Sequence, residues 1–234
     1  MGVVLVPGLL AAGVGALIFV GLDRITGFGT FSLAVPDIPP FESLQGVEFL
    51  WAVAFGLGGA LLGSVIRRGA QWLEPVVAAR RLVLSPAVGV GVALSAIAYA
   101  QVTDRSAREV LFSGESALPQ LVQGAETWTV GALLALLVAK AVAYGLSLSC
   151  FRGGPTFPAM FVGAAAGIAL SHLPGLPMIA GVAMGIGAMS VSILRLPLTS
   201  VLLTAVFLQA DAITLVPLII VAVVVAYVAT ARLD

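Results

Sequence analysis

Uninterrupted apolar stretches run from about Val3 to Leu22, Phe49 to Ile66, Leu82 to Ala100 and Thr127 to Phe151. Each meets the ~20 residues that a helix needs to cross ~30 Å of hydrocarbon, with room for tilt, so four membrane-spanning helices are predicted. The pattern then changes. Between Phe157 and Thr230 the apolar sequence is cut at His172-Leu-Pro-Gly-Leu-Pro, at Arg195-Leu-Pro and at Gln209-Ala-Asp, leaving pieces of roughly 14 to 18 residues, short for a perpendicular crossing. Helices broken inside a bilayer expose backbone groups that lipid cannot satisfy, and they persist only where protein or a wet cavity surrounds the break. The breaks therefore predict a pathway or site lined by half-helix termini. Ordinary spans with blurred ends are the plainer alternative.

Composition fixes the class: 60% hydrophobic residues, 9% charged residues and a mean hydropathy of +1.15 describe an integral, multi-pass membrane protein of all-α build. The formal net charge is zero, so no bulk field points to nucleic acid, and each charge within the apolar sequence is read by itself. Cys150 is the only cysteine, which excludes an intrachain disulfide and reads as a small buried hydrophobe. Apolar sequence starts at Val3 with no basic stretch before it, so neither a signal peptide nor a lipid anchor is expected. Arg67, Arg68, Arg80 and Arg81 crowd the loop predicted between the second and third helices, which places that loop on the cytoplasmic side and, counting back, the N-terminus inside. Gly59 and Gly63, Gly163 and Gly167, and Gly181 and Gly185 are each four apart on helical sequence and predict a tight bundle.

The charges are distributed unevenly. From Thr127 through Ala210 stand Lys140, Arg152 and Arg195, with no Asp or Glu. An isolated charge inside a membrane costs roughly 2.5 to 3.5 kcal/mol on insertion scales and marks an ion path or a partner. A cation path would carry carboxylates, so the sign here favours anions. Against this, Arg152 and Arg195 stand at segment ends, where they could snorkel to headgroups. The turn "SLSCFRGGPTFPAMFVG", residues 147 to 163, gives the charges a focus. Gly153 and Gly154 permit close backbone approach, and a helix starting near Phe157-Pro158 would present free N–H groups and the positive end of its dipole. That arrangement binds an anion without a full cationic cage. Arg152 would add attraction, and Phe157 and Met160 would limit hydration.

The segment "GGPTFPAMFVG" resembles the third signature of the CLC family of chloride channels and chloride/proton antiporters, a G-x-F-x-P turn followed by a helix, with Gly154 and Pro158 at the family's spacing. "FSGESALPQL" (112 to 121), Lys140 in the preceding helix and "RLPLTSVLLTAVF" (195 to 207) are similar to successive segments of the same family in the same order. On that resemblance residues 1–234 form a single transmembrane domain like the C-terminal half of a CLC membrane domain, with leading helices and loops over 1–126 and an anion-site repeat of broken, re-entrant helices over 127–234. The resemblance implies a homodimer in the bacterial plasma membrane, an anion path in each subunit built from two inverted repeats, and chloride as substrate with no cofactor. It also implies an anion site at Gly153, Gly154, Pro155, Thr156 and Phe157, with Lys140, Arg152 and Arg195 as attracting charges. Two departures matter: Thr156 stands where the family has Phe, and Pro155 has no N–H, so at most one of the two expected backbone amides survives.

The family's Gly-Ser-Gly-x-Pro turn and its gating-glutamate turn do not occur in these 234 residues, and its pore tyrosine would follow Asp234. The chain is then expected to be a piece of a longer protein, a half that needs a second chain, or a degenerate remnant. Two other readings stand beside this one: a secondary transporter of an organic anion, and a non-conducting structural subunit. Catalysis is not expected, because His172 is the only histidine, no nucleophile elbow surrounds Ser147 or Ser149, and no metal cluster, phosphate loop or dinucleotide motif occurs. His172, in a Pro-Gly break, reads as a helix-end residue. Channel and antiporter readings both stay open. Replacing Arg152 by Ala is expected to weaken anion occupancy, and unchanged anion binding by titration calorimetry would remove Arg152 from the path.

Overall fold

The structure, a computed structural model, describes residues 2–27, 41, 44–209 and 212–233. Among these the chain is all-α: α1 (Gly2–Thr26), α2 (Gly46–Ala79), α3 (Arg81–Thr103), α4 (Ala117–Gln123), α5 (Val130–Leu148), α6 (Thr156–Leu170), α7 (Met178–Leu194), α8 (Pro197–Leu208) and α9 (Ala212–Leu233). Single 3-10 turns lie at Ala107–Glu109 and Ala125–Thr127. The chain divides into two units, Met1–Leu33, which holds α1, and Ala34–Asp234. In the first, Val6–Thr26 is long and apolar enough to cross a membrane. In the second, α2, α3, α5 and Ile213–Leu233 of α9 are so as well, whereas α6, α7 and α8 are apolar but shorter.

Two expectations need correction. The arginine-rich stretch from Arg67 to Arg81 is not a loop: α2 runs on to Ala79, and only Arg80 separates it from α3. Its 34 residues make a rod of about 51 Å at 1.5 Å per residue, well beyond the hydrocarbon thickness. Helix continues past Arg68 because Ala70 and Val77 still find cover while Trp72 and Glu74 stay exposed. The last apolar piece is likewise longer than the breaks suggest, since α9 has 22 residues. Of the three helices before it, those of 15 and 17 residues are as short as expected, and α8, of 12, is shorter still.

Small residues decide how this unit packs. A methyl group on Gly163 would lie 2.3 Å from the carbonyl oxygen of Gly185, and one on Gly167 would lie 2.4 Å from that of Gly181. The α6 and α7 backbones are therefore in direct contact, antiparallel, with no room for any side chain between them. On α2, Gly59 and Gly63 leave room for the side chains of Ala188 and Ser192 of α7, and Gly56 for that of Val225 of α9. As a result α7 is buried on every side from Ile179 to Ser192. A helix enclosed this way can stop short of the membrane surface, because protein and not lipid surrounds its ends.

Three hydroxyl groups inside this packing return to their own helices, whereas those of Ser64 and Ser190 are buried without a partner among the described residues. Ser192 donates to the carbonyl of Ala188 at 2.7 Å, Thr204 to that of Ser200 at 2.8 Å and Thr230 to that of Ala226 at 2.6 Å. Such i−4 bonding satisfies a hydroxyl where no water is available. Elsewhere, Glu48 is buried at the start of α2 with its carboxylate accepting from the Gln45 N–H at 3.0 Å. Replacing Gly163 by Ala is expected to destabilise the fold by about 1–3 kcal/mol through overpacking. The matching change at Gly131, where nothing lies within 4 Å, is expected to leave thermal unfolding in detergent unchanged or slightly raised.

Candidate functional site

The site is organised by one face of α5. Thr129 caps this helix, its hydroxyl accepting from the Ala132 N–H at 3.2 Å. From there Lys140, Tyr144 and Ser147, at helical spacing, all look into a cavity of about 220 Å³. The opposite walls are Val92 of α3, the loop residues Val110 to Ser113, and Phe151, Gly153, Gly154 and Pro158 at the start of α6.

Lys140 is 2% exposed, and its ammonium donates to the carbonyls of Glu109, Val110, Leu111 and Phe112 at 3.3, 2.9, 3.1 and 3.1 Å. No carboxylate pairs with it among the described residues. Four consecutive carbonyls converge on one cation because Phe112 adopts φ 61° and Gly114 φ 86°. Gly114 also has no room for a side chain, since a methyl there would lie 2.9 Å from the Phe161 ring. The loop is held from outside as well. Glu109 accepts from the Tyr99 hydroxyl and, at 3.3 Å, from Arg105, whose guanidinium lies 3.4 Å over the Trp128 ring.

One turn along α5, the Tyr144 hydroxyl donates to the Pro155 carbonyl at 2.7 Å. Pro155 caps α6, and its carbonyl also accepts from the Ala159 N–H at 3.4 Å. The donors of this turn are left differently. Among the described residues, no protein acceptor takes the N–H of Arg152, Gly153, Gly154, Thr156 or Phe157. The turn thus has free donors while its cap carbonyl is occupied, and it stands at the positive end of a 15-residue helix, with the Gly153 and Gly154 carbonyls also unpaired among the described residues.

The residues singled out in the sequence divide as follows. Gly153 and Gly154 line the cavity, and Arg152 stands exposed beside them. Pro155 and Thr156 form the first turn of α6, which begins one residue before the expected Phe157, and Phe157 packs on the main apolar core. Lys140 faces the cavity wall with its donors engaged by carbonyls. Arg195 lies outside the lining: it ends α7 in a left-handed conformation and donates to the Thr230 carbonyl at 3.5 Å. Since α6 and α7 are antiparallel in the Gly163–Gly185 and Gly167–Gly181 register, Arg195 is nonetheless at the same end of the pair as the turn. His172 bonds through Nδ1 to the Ile168 carbonyl at 3.1 Å, a helix-end position.

Sequence reasoning missed Tyr144, Ser147, Ser113 and the carbonyls of 109 to 112. The α5 polar stripe at 140, 144 and 147 was readable from helical spacing; the loop's approach to Lys140 was not, because it depends on tertiary contact.

Short apolar helices packed through glycine, with an unpaired Gly153-Gly154 backbone on a cavity wall, are the build of a membrane channel or ion transporter. A sequence model of the family described as voltage gated chloride channel matches residues 3–231, and the chain belongs to that family. Among curated proteins none matches the chain. Members of the family are channels or transporters, and this chain is an integral multi-pass member of that anion-transport class. Replacing Gly114 by Ala is expected to unseat the loop from Lys140, seen as faster hydrogen exchange over residues 109 to 114 with α7 unaffected.

Proposed function

We propose that this chain takes part in moving a small inorganic anion, chloride foremost, across a membrane, and that the turn from Arg152 to Phe157 holds the anion on its way. The observation that carries this reading is the set of free N–H groups at Arg152, Gly153, Gly154, Thr156 and Phe157, beside a carbonyl already engaged by Tyr144. Such donors, at the positive end of α6, suit an anion. Arg152, exposed at the turn, supplies attraction, and Arg195 and Lys140 add positive charge in a stretch with no Asp or Glu from Thr127 through Ala210. The cavity has room for a chloride with several waters, taking about 30 Å³ per water. With apolar walls at Val92, Leu111, Phe151 and Pro158, the polar contacts of a bound ion fall to the turn and to Ser113 and Ser147.

The transport unit in this reading is a homodimer in a bacterial plasma membrane, with the Gly-Ser-Gly-x-Pro half of each pathway supplied by further sequence or by a second chain. Radiotracer chloride uptake into proteoliposomes tests it. Uptake above that of empty vesicles, competed by bromide and not by gluconate, is the expected result with the N-terminal half present. Selective flux from this chain alone would remove the structural-subunit reading. Absence of uptake in both preparations would overturn the transport assignment. A proton gradient applied to the same vesicles separates passive from proton-coupled movement.

A further inference from the structure

Five carbonyl oxygens around the cavity are drawn onto two side chains of α5. On the loop side, the carbonyl oxygens of residues 109 to 112 are drawn onto Lys140. On the turn side, the Pro155 carbonyl is drawn onto Tyr144. Both clamps come from one face of α5, one turn apart. What the lining then keeps is the backbone of Gly153 and Gly154, whose N–H and C=O groups have no protein partner among the described residues, and the hydroxyls of Ser113 and Ser147. A carbonyl ring facing a pore coordinates cations, and free N–H groups coordinate anions. The same backbone could serve either sign, depending on where its carbonyls are held.

We propose that Lys140 and Tyr144 are positioning residues that set the cavity's selectivity for anions by withdrawing the carbonyls of residues 109 to 112 and of Pro155 from its lining. Lys140 acts here through the backbone it gathers, and not as a ligand to the anion, since its three N–H donors are already shared among four carbonyls. Tyr144 carries no charge to offer, so any effect of its hydroxyl on selectivity must come through Pro155. The loop conformation supports the same role: Phe112 is held at φ 61°, which an L-residue adopts only at a cost, so release of its carbonyl from Lys140 frees the loop to relax.

This inference rests on the anion-transport reading and is tested separately from it. The full chain, with the N-terminal half present if uptake requires it, is reconstituted with opposed potassium chloride gradients, and the potassium-to-chloride permeability ratio is read from the reversal potential. Tyr144→Phe keeps the ring in its packing and removes one neutral hydrogen bond, so the ratio is expected to rise about fivefold. Lys140→Met keeps the apolar stem and frees four carbonyls, and the ratio is expected to rise about tenfold or more. Lys140→Arg, which restores charge without the compact ammonium, is expected to recover only part of the selectivity. Chloride flux in the wild type with an unchanged ratio in Tyr144→Phe would overturn the inference and leave the transport reading standing. If Lys140→Met does not fold, Tyr144→Phe decides alone. Full recovery in Lys140→Arg together with a silent Tyr144→Phe would show a plain charge effect, and would also overturn it. A wild type without chloride uptake removes the transport reading and this inference with it.

Discussion

Hydrocarbon supplies no hydrogen bonds, and almost everything in this fold follows from where the backbone must find them instead. Long helices such as α3 and α5 answer within themselves. The shorter helices cannot, since each end leaves several N–H or C=O groups unmet. They are tolerated because other helices close around them, and that closure depends on glycine: with a methyl on Gly163 or Gly167 the α6 and α7 backbones could not touch. Glycine here is thus a condition for having helix ends inside the membrane at all, beyond its contribution to packing density.

Some of the unmet groups are taken up by side chains. Five carbonyls near the cavity are engaged by Lys140 and Tyr144, whereas the backbone of Gly153 and Gly154 is left open. A lysine buried without a carboxylate would ordinarily be costly. Four carbonyl dipoles compensate it, much as they would a desolvated metal cation.

The glycine pairs, the broken helices, the turn at 153 to 157 and the cationic stretch could all be read in the sequence, because each is a local pattern with a direct physical meaning. The run from Arg67 to Arg81 misled because arginine marks a membrane boundary without marking a helix end, and α2 continues through it. Lys140 was visible as a charge in an apolar helix, but its partners were not. Backbone carbonyls have no sequence identity, and nothing in "REVLF" distinguishes oxygens that will meet an ammonium from any others. The pull of Tyr144 on Pro155 was hidden for the same reason.

Lys140 follows the carbonyls it binds by 28 to 31 residues, with α4 and the first half of α5 in between. The loop wall is therefore synthesised before the residue that shapes it, and it has no anchor on Lys140 until α5 is in place beside α3. The cavity is in this sense a late product of assembly: its interior surface does not exist in any single segment of the chain, and it is completed by a contact that only the inserted bundle can make.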